Sequence, residues 1–189
     1  MDGVTATAEM TAAEFLARPV DPPTQRWQLI DGELVMNEPG LRHNDAQGCI
    51  YAALRGWTRT ASGRGWVGLP LDVLLDDRNV HQPDVAWYRE DRTPRRGDTA
   101  PFPVPDIAVE VRSPSTWRFD VGAKKANYER HGVAELWLVD TAADAVLVFR
   151  RSGPKAPHFD VSLELTTDDA LTSPLLPGFA LPVGEIFAD

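Results

Sequence analysis

Pro105-Asp106-Ile107-Ala108-Val109-Glu110-Val111-Arg112-Ser113-Pro114-Ser115 is the stretch that decides the fold. From Asp106 to Arg112 the side chains alternate. Ile107, Val109 and Val111 point one way, and Asp106, Ala108, Glu110 and Arg112 the other, which is the period of a strand. Ser113-Pro114-Ser115 breaks that strand. The spacing then predicts a helix from roughly Asp120 to His131, with Gly132 at C′, and a further strand over Glu135–Val139. Strand, turn, helix and strand in succession predict an α/β protein.

Upstream, Thr11 and Glu14 form a capping box for a short helix reaching Ala17. A Pro-rich link (Pro19, Pro22, Pro23) leads to a strand at Arg26–Ile30. Asp31-Gly32 is a two-residue hairpin signal, with Glu33–Asn37 as the return strand. Ala46, Ile50, Ala53, Leu54 and Trp57 fall at helical spacing within His43–Ala61. Strands are expected at Trp66–Leu69, Leu71–Leu75 and Asp84–Tyr88, with Asp76-Asp77-Arg78-Asn79 as the turn before the third. The segment from Arg89 to Pro105, with its four prolines, reads as an exposed connection. Downstream, Ala145–Arg150 and Val161–Leu165 are expected strands. The organisation expected is a flexible N-terminus at residues 1–10 and a single domain at 11–189.

The 189 residues suit one hydrophobic core, and 43 % hydrophobic with 25 % charged residues is an ordinary globular balance. No apolar run is long enough to span a bilayer, and the N-terminus has no secretion-signal pattern, so a cytoplasmic protein without membrane contact is expected. Cys49 is the single cysteine, which excludes an intrachain disulfide or a cysteine zinc cluster. The net charge of −9 argues against tight, nonspecific binding of a phosphate backbone. Positive charge is nevertheless gathered at Arg89, Arg92, Arg95 and Arg96 and at Arg112, Arg118, Lys124, Lys125 and Arg130, while no Lys or Arg occurs from Pro157 onward.

Asp84 follows Pro83 and opens a strand, and Glu110 lies on the strand face opposite the Ile/Val set. Asp120, Lys124 and Tyr128 share one helical stripe, which the strand–turn–helix unit brings back toward Glu110. Magnesium takes one or two carboxylates and keeps several waters. Asp84 and Glu110 supply carboxylates, the Val111 carbonyl a further ligand, and Lys124 a cation to orient water or stabilise developing charge. On residue types alone, an ion-pair network is the favoured reading, with Asp84 capping a turn and Glu110 paired to Arg112 or Lys124. Mutual repulsion of the two carboxylates predicts that Asp84→Ala or Glu110→Ala leaves the melting temperature nearly unchanged or raised.

The run 105–115 resembles the central signature of the Uma-two-type putative restriction endonuclease family. So do Asp120…Lys124…Tyr128…Gly132-Val133 and Glu135-Leu136-Trp137-Leu138-Val139-Asp140 after it. Leu29-Ile30-Asp31-Gly32-Glu33-Leu34, His43, Pro83-Asp84-Val85 and Leu175-Leu176-Pro177-Gly178-Phe179 complete the likeness, over roughly residues 11–187. The resemblance implies a PD-(D/E)XK nuclease with a restriction-endonuclease-like core, a mixed β-sheet flanked by helices. It implies Asp84, Glu110 and Lys124 as catalytic residues and Mg2+ as cofactor, with Mn2+ able to substitute. It also implies DNA as partner, which the acidic net charge makes weakly held. The superfamily's plain pattern has Lys two residues after the second acid; here Arg112 stands there and the lysine is Lys124, on the helix. Arginine does not release its proton at workable pH, which limits Arg112 to an electrostatic aid.

Glu33 and His43 are auxiliary candidates, the first as an additional acid and the second as a contact to substrate phosphate or to the metal. Each also fits a plain role, Glu33 as a solvent-facing hairpin residue and His43 as a polar cap. Lys125 is expected to be solvated or to touch phosphates, Asp106 to anchor its strand, Tyr128 to hold Lys124 by packing, and Trp27 and Trp87 to lie at the surface or in a dimer contact. The function expected is Mg-dependent hydrolysis of DNA phosphodiester bonds by metal-activated water, in a homodimer. The alternatives are a non-catalytic homodimeric binding or regulatory protein of the same fold, or a metal-dependent hydrolase of a small phosphorylated substrate.

Overall fold

The strand at the centre of residues 105–115 forms inside a sheet, not at its edge. In chain order the computed structural model, which describes residues 9–19 and 26–188, runs α1 (Ala12–Leu16), β1 (Arg26–Ile30), β2 (Glu33–Asn37), α2 (Leu41–Arg59), β3 (Trp66–Gly68), β4 (Val73–Asp76), β5 (Asn79–His81), β6 (Val85–Tyr88) and β7 (Ile107–Val111). It continues through α3 (Trp117–Phe119), a π-helical turn (Asp120–Lys124), α4 (Lys125–Arg130), β8 (Glu135–Asp140), β9 (Ala145–Arg150), β10 (Val161–Leu165), β11 (Ala170–Leu171), β12 (Leu181–Pro182) and α5 (Val183–Ile186). Most of the expected flexible N-terminus (residues 1–8), together with Pro22 and Pro23 of the link, lies outside the described residues.

Six strands form the main sheet in the order β10-β9-β8-β7-β6-β3, and four form a smaller one in the order β2-β1-β5-β4. β7 pairs antiparallel with β6 and parallel with β8, so the main sheet is mixed. The parallel pair needs a crossover, which residues 112–134 supply with their helices. All five residues of β7 are buried, because both faces are covered. Ile107, Val109 and Val111 pack against Ile50, Leu54 and Trp57 of α2 and against Leu176 and Phe179 of the C-terminal segment. Ala108 belongs to the opposite face, with Tyr128, Val133, Leu136 and Leu138.

Local chemistry sets the boundaries. Thr11 Oγ1 accepts from the Glu14 N–H while the Glu14 carboxylate accepts from the Thr11 N–H, which is the expected capping box. Asp31 (φ 50°) and Gly32 (φ 83°) both adopt positive φ, as a type I′ hairpin turn requires. Gly132 (φ 82°) ends α4, with Val133 N–H donating to Tyr128 O and Gly132 N–H to Glu129 O in a Schellman motif. Three expectations change. Asp76–Asn79 is the turn of a β4–β5 hairpin, and β5 appears where only a turn was expected. The helix after residue 115 begins at Trp117 and widens into a π turn. Trp87 is buried at 3 % exposure, its Nε1 donating to Arg64 O, because it faces α2 and not solvent.

Glu135, at the start of β8, is fully buried. It accepts from Trp137 Nε1 at 2.8 Å and from Ser173 Oγ at 2.6 Å. Burial raises its carboxyl above the ordinary value, against the pull of those two donors and of Arg150. A raised folded-state value means that stability is intact below the unfolded carboxyl's pKa and falls as pH climbs from there toward the folded value. Glu135→Gln is therefore expected to gain in melting temperature relative to the native chain as pH rises above the ordinary carboxyl value. A difference that does not change with pH there would show that burial does not raise this carboxyl.

Candidate active site

Asp84, just before β6, and Glu110, on β7, meet where the antiparallel β6–β7 pair brings the start of one strand beside the end of the other. Asp84 Oδ2 accepts from the Val111 N–H at 2.8 Å. Helix α2 fixes Asp84 from the other side, with two residues one turn apart. His43 Nε2 lies 3.2 Å from Asp84 Oδ2, and Gln47 Nε2 donates to the Asp84 carbonyl at 2.7 Å. His43, read from sequence as a candidate contact or a cap, is thus buried at the cluster.

Glu110 is held from the helical side. Lys124 Nζ sits 2.5 Å from Glu110 Oε2 and 3.1 Å from Asp120 Oδ1, and Tyr128 donates its hydroxyl to Glu110 Oε1 at 2.6 Å. Tyr128 therefore acts by a hydrogen bond to Glu110, not by packing alone. The π turn inserts one residue into this helix, a device common at functional sites, and leaves Asp120 and Lys124 in contact. His81 of β5 stacks edge-on over Tyr128 at 5.1 Å.

Burial is the dominant electrostatic fact here. Asp84, Glu110, Asp120 and Lys124 are each no more than 2 % exposed. Burial pushes the Glu110 carboxyl up to about 8, Asp120 and Asp84 adding to the rise and Lys124 opposing it. Burial alone would lower Lys124, but the Glu110 and Asp120 carboxylates outweigh it and hold the ammonium well above its ordinary value. Lys124 accordingly stays charged. It can orient water or stabilise an oxyanion, and it cannot serve as a base at neutral pH.

These contacts argue against the expectation that Glu110→Ala relieves repulsion. Removing Glu110 strands a buried ammonium on Asp120 alone, which is destabilising. Arg112 is also drawn elsewhere. Its Nη1 binds both Asp140 oxygens, at 2.8 and 3.0 Å, and its guanidinium lies 5.3 Å over the Trp117 ring. Glu33 is exposed at the turn end of the β1–β2 hairpin, opposite Ile30, whereas the other end of that hairpin meets Asp84. Lys125 is not free in solvent but lies 4.5 Å over the Phe149 ring. Asp106 anchors its strand as expected, gripped by Arg89 and Arg92.

Sequence reasoning missed Arg26, whose Nη1 is 3.9 Å from Asp84 Oδ1, and the clamp by Gln47. The only signal for Gln47 was its i+4 spacing from His43.

The residues fit a divalent cation on two counts. Asp84 Oδ1 is buried with no hydrogen-bond partner. Three acids, Asp84, Glu110 and Asp120, face only Lys124 and Arg26 as permanent cations, and the rise of the Glu110 carboxyl to about 8 marks that deficit of positive charge; a divalent cation would take the place of the proton that Glu110 otherwise carries. Among the described residues no group of three or more His, Cys, Asp and Glu converges on a point that could hold a metal by itself, so water must complete any coordination, which is the habit of magnesium. A cavity of about 560 Å³ opens at the opposite end of β7 and β8, beside Asp106, Glu135, Arg89 and Arg151, and includes none of the cluster. Its Asp106 carboxylate is already neutralised by two arginines, so it offers no comparable deficit.

A mixed sheet covered by helices, with Pro-Asp beside Glu on the neighbouring strand, defines a restriction-endonuclease-like fold. The crystal structure of a putative nuclease belonging to DUF820, from Anabaena variabilis ATCC 29413, matches with a TM-score of 0.78, over 95 % of this chain and 98 % of that one, at 20 % sequence identity. The family model Uma2, described as putative restriction endonuclease, matches residues 12–184, and the chain belongs to that family. Comparison with curated proteins gave no match.

Proposed function

We propose that this protein is a magnesium-dependent endonuclease that hydrolyses DNA phosphodiester bonds. The observation that carries the reading is the unpartnered Asp84 Oδ1, buried beside Glu110 in a cluster short of positive charge. Asp84, Glu110 and the Val111 carbonyl would hold Mg2+ or Mn2+, which supplies a water of lowered pKa and offsets charge on the phosphate. Asp84 is kept in place by the Val111 N–H and by α2 through His43 and Gln47. Tyr128 orients Glu110. Lys124, permanently charged, stabilises the oxyanion that builds as water attacks. The net charge of −9 makes DNA affinity weak. Cutting both strands of a duplex would use two such sites, hence a homodimer, and the reading is of a cytoplasmic protein. Among the described residues no helix is long and apolar enough to cross a membrane.

A non-catalytic binding protein is the second reading, favoured by one observation: both Glu110 oxygens already have partners, Tyr128 and Lys124. Calorimetric titration of Mg2+ and Mn2+, paired with incubation of supercoiled plasmid at low salt, separates the two. Heat of binding, plasmid nicking and loss of nicking with EDTA are expected. A protein that binds neither ion and leaves the plasmid intact is the ion-pair network of the second reading.

A further inference from the structure

Five of the described residues carry a buried side-chain polar atom with no hydrogen-bond partner: Arg26, Asn37, His43, His81 and Asp84. Such atoms are rare in folded proteins, and each asks for a water, an ion or a ligand. Four of the five gather at one corner. Arg26 Nη1 is 3.9 Å from Asp84 Oδ1, His43 Nε2 is 3.2 Å from Asp84 Oδ2, and Asn37 stands directly across the hairpin from Arg26. Directly opposed residues of an antiparallel pair project to the same face. The side chains of Asp84 and His43 are at most 3 % exposed, while that of Arg26 is 37 % exposed. Arg26 is therefore the side from which a ligand arrives.

The kinds of atom left over identify that ligand. Arg26 Nη1 can only donate, Asp84 Oδ1 and Asn37 Oδ1 can only accept, and a neutral His43 ring offers one of each. A cation alone would satisfy the acceptors and be repelled by Arg26. An anion alone would satisfy Arg26 and be repelled by Asp84. A phosphate group carrying a hydrated cation satisfies all of them. Its oxygens would take the Arg26 and His43 N–H groups, the cation would meet Asp84, and a water on the cation would donate to Asn37. Resting on the nuclease reading above, we propose that Arg26, with His43 and Asn37, forms the subsite that receives the phosphodiester of a nucleic acid and positions it against Asp84.

The test measures binding separately from cleavage. A short fluorescein-labelled DNA duplex is titrated by anisotropy with Ca2+ replacing Mg2+, over a series of salt concentrations, with inorganic phosphate as competitor. Native protein, Arg26→Ala, Arg26→Lys and the remote control Arg95→Ala are compared. Arg26→Ala is expected to weaken duplex binding at least ~10-fold and to lower the log–log salt slope by about one, with an unchanged melting temperature. Arg26→Lys is expected to recover part of the affinity and the slope, since it keeps the charge without the fork. Arg95→Ala should bind as the native chain does. Duplex binding with native affinity and slope in Arg26→Ala overturns the subsite, as does native protein that takes up phosphate but no duplex. Loss of binding in Arg26→Ala with no cleavage by any form keeps the subsite and removes the nuclease. Cleavage with unchanged KM in Arg26→Ala does the reverse.

Discussion

Asp84→Asn is expected to lower magnesium-dependent DNA cleavage on the order of 10³-fold, equivalent to about 4 kcal/mol of lost transition-state stabilisation, while the chain keeps its fold. The two halves of that expectation rest on different oxygens. Asp84 Oδ2 carries the structural work by accepting from the Val111 N–H, and an asparagine carbonyl oxygen can take that bond over. Asp84 Oδ1 accepts no hydrogen bond, and its charged neighbour Arg26 is part-exposed and 3.9 Å away, so little of the fold depends on its charge. The backbone carbonyl of residue 84 still accepts from Gln47. Cleavage rates in Mg2+ and Mn2+, with thermal melts of both proteins, check it. Cleavage at the native rate would show that no carboxylate is needed at this position. A melting temperature that collapses would place Asp84 among the residues that hold the fold.

Much of this arrangement is legible along the chain because it is written in local periods. The alternation of 107–111 gives the strand and puts Glu110 on the face away from the Ile/Val set, but the second core on that face depends on residues of later elements. Asp31-Gly32 and Gly132 announce a turn and a helix end through positive φ alone. What stayed hidden is set by contacts distant in sequence. Arg26 looks like any charged residue at the start of a strand. Only the packing of its hairpin against the start of β6 gives it Asp84 as a neighbour. Arg112 occupies the position where the superfamily's pattern has lysine. The parallel register of Val111 with Val139 sets Asp140 beside it, and the pair closes on itself. Strand β5 is three residues long, too short for its period to show within a polar turn. The π turn at 120–124 has no sequence signature, since Asp120, Lys124 and Tyr128 suit an α-helix equally well.

Lys124 carries the largest effect expected on stability. Lys124→Ala removes the cation shared by Glu110 and Asp120, both about 2 % exposed. Losing one partner of a buried pair typically costs about 3–5 kcal/mol, because the desolvated charge is left behind. For a chain of this size each kcal/mol shifts the melting temperature by roughly 2–4 °C, so a fall of about 6–20 °C is expected. Tyr128 and Thr116 remain as hydrogen-bond donors to the two acids, which limits the loss without replacing the charge. The double substitution Glu110→Gln with Lys124→Met removes both charges of the shortest contact, keeps an acceptor for Tyr128, and is expected to be more stable than Lys124→Ala. Its departure from the sum of Glu110→Gln alone and Lys124→Met alone reports the coupling of the pair. Denaturant titrations of the single and double variants decide the matter. A Lys124→Ala protein as stable as the native one would mean that the ammonium is hydrated and mobile, not locked between two buried carboxylates. The role of Lys124 in stabilising an oxyanion would then lose its structural basis, because a charge free to reorganise with solvent gives up the advantage of being fixed in place before the reaction begins.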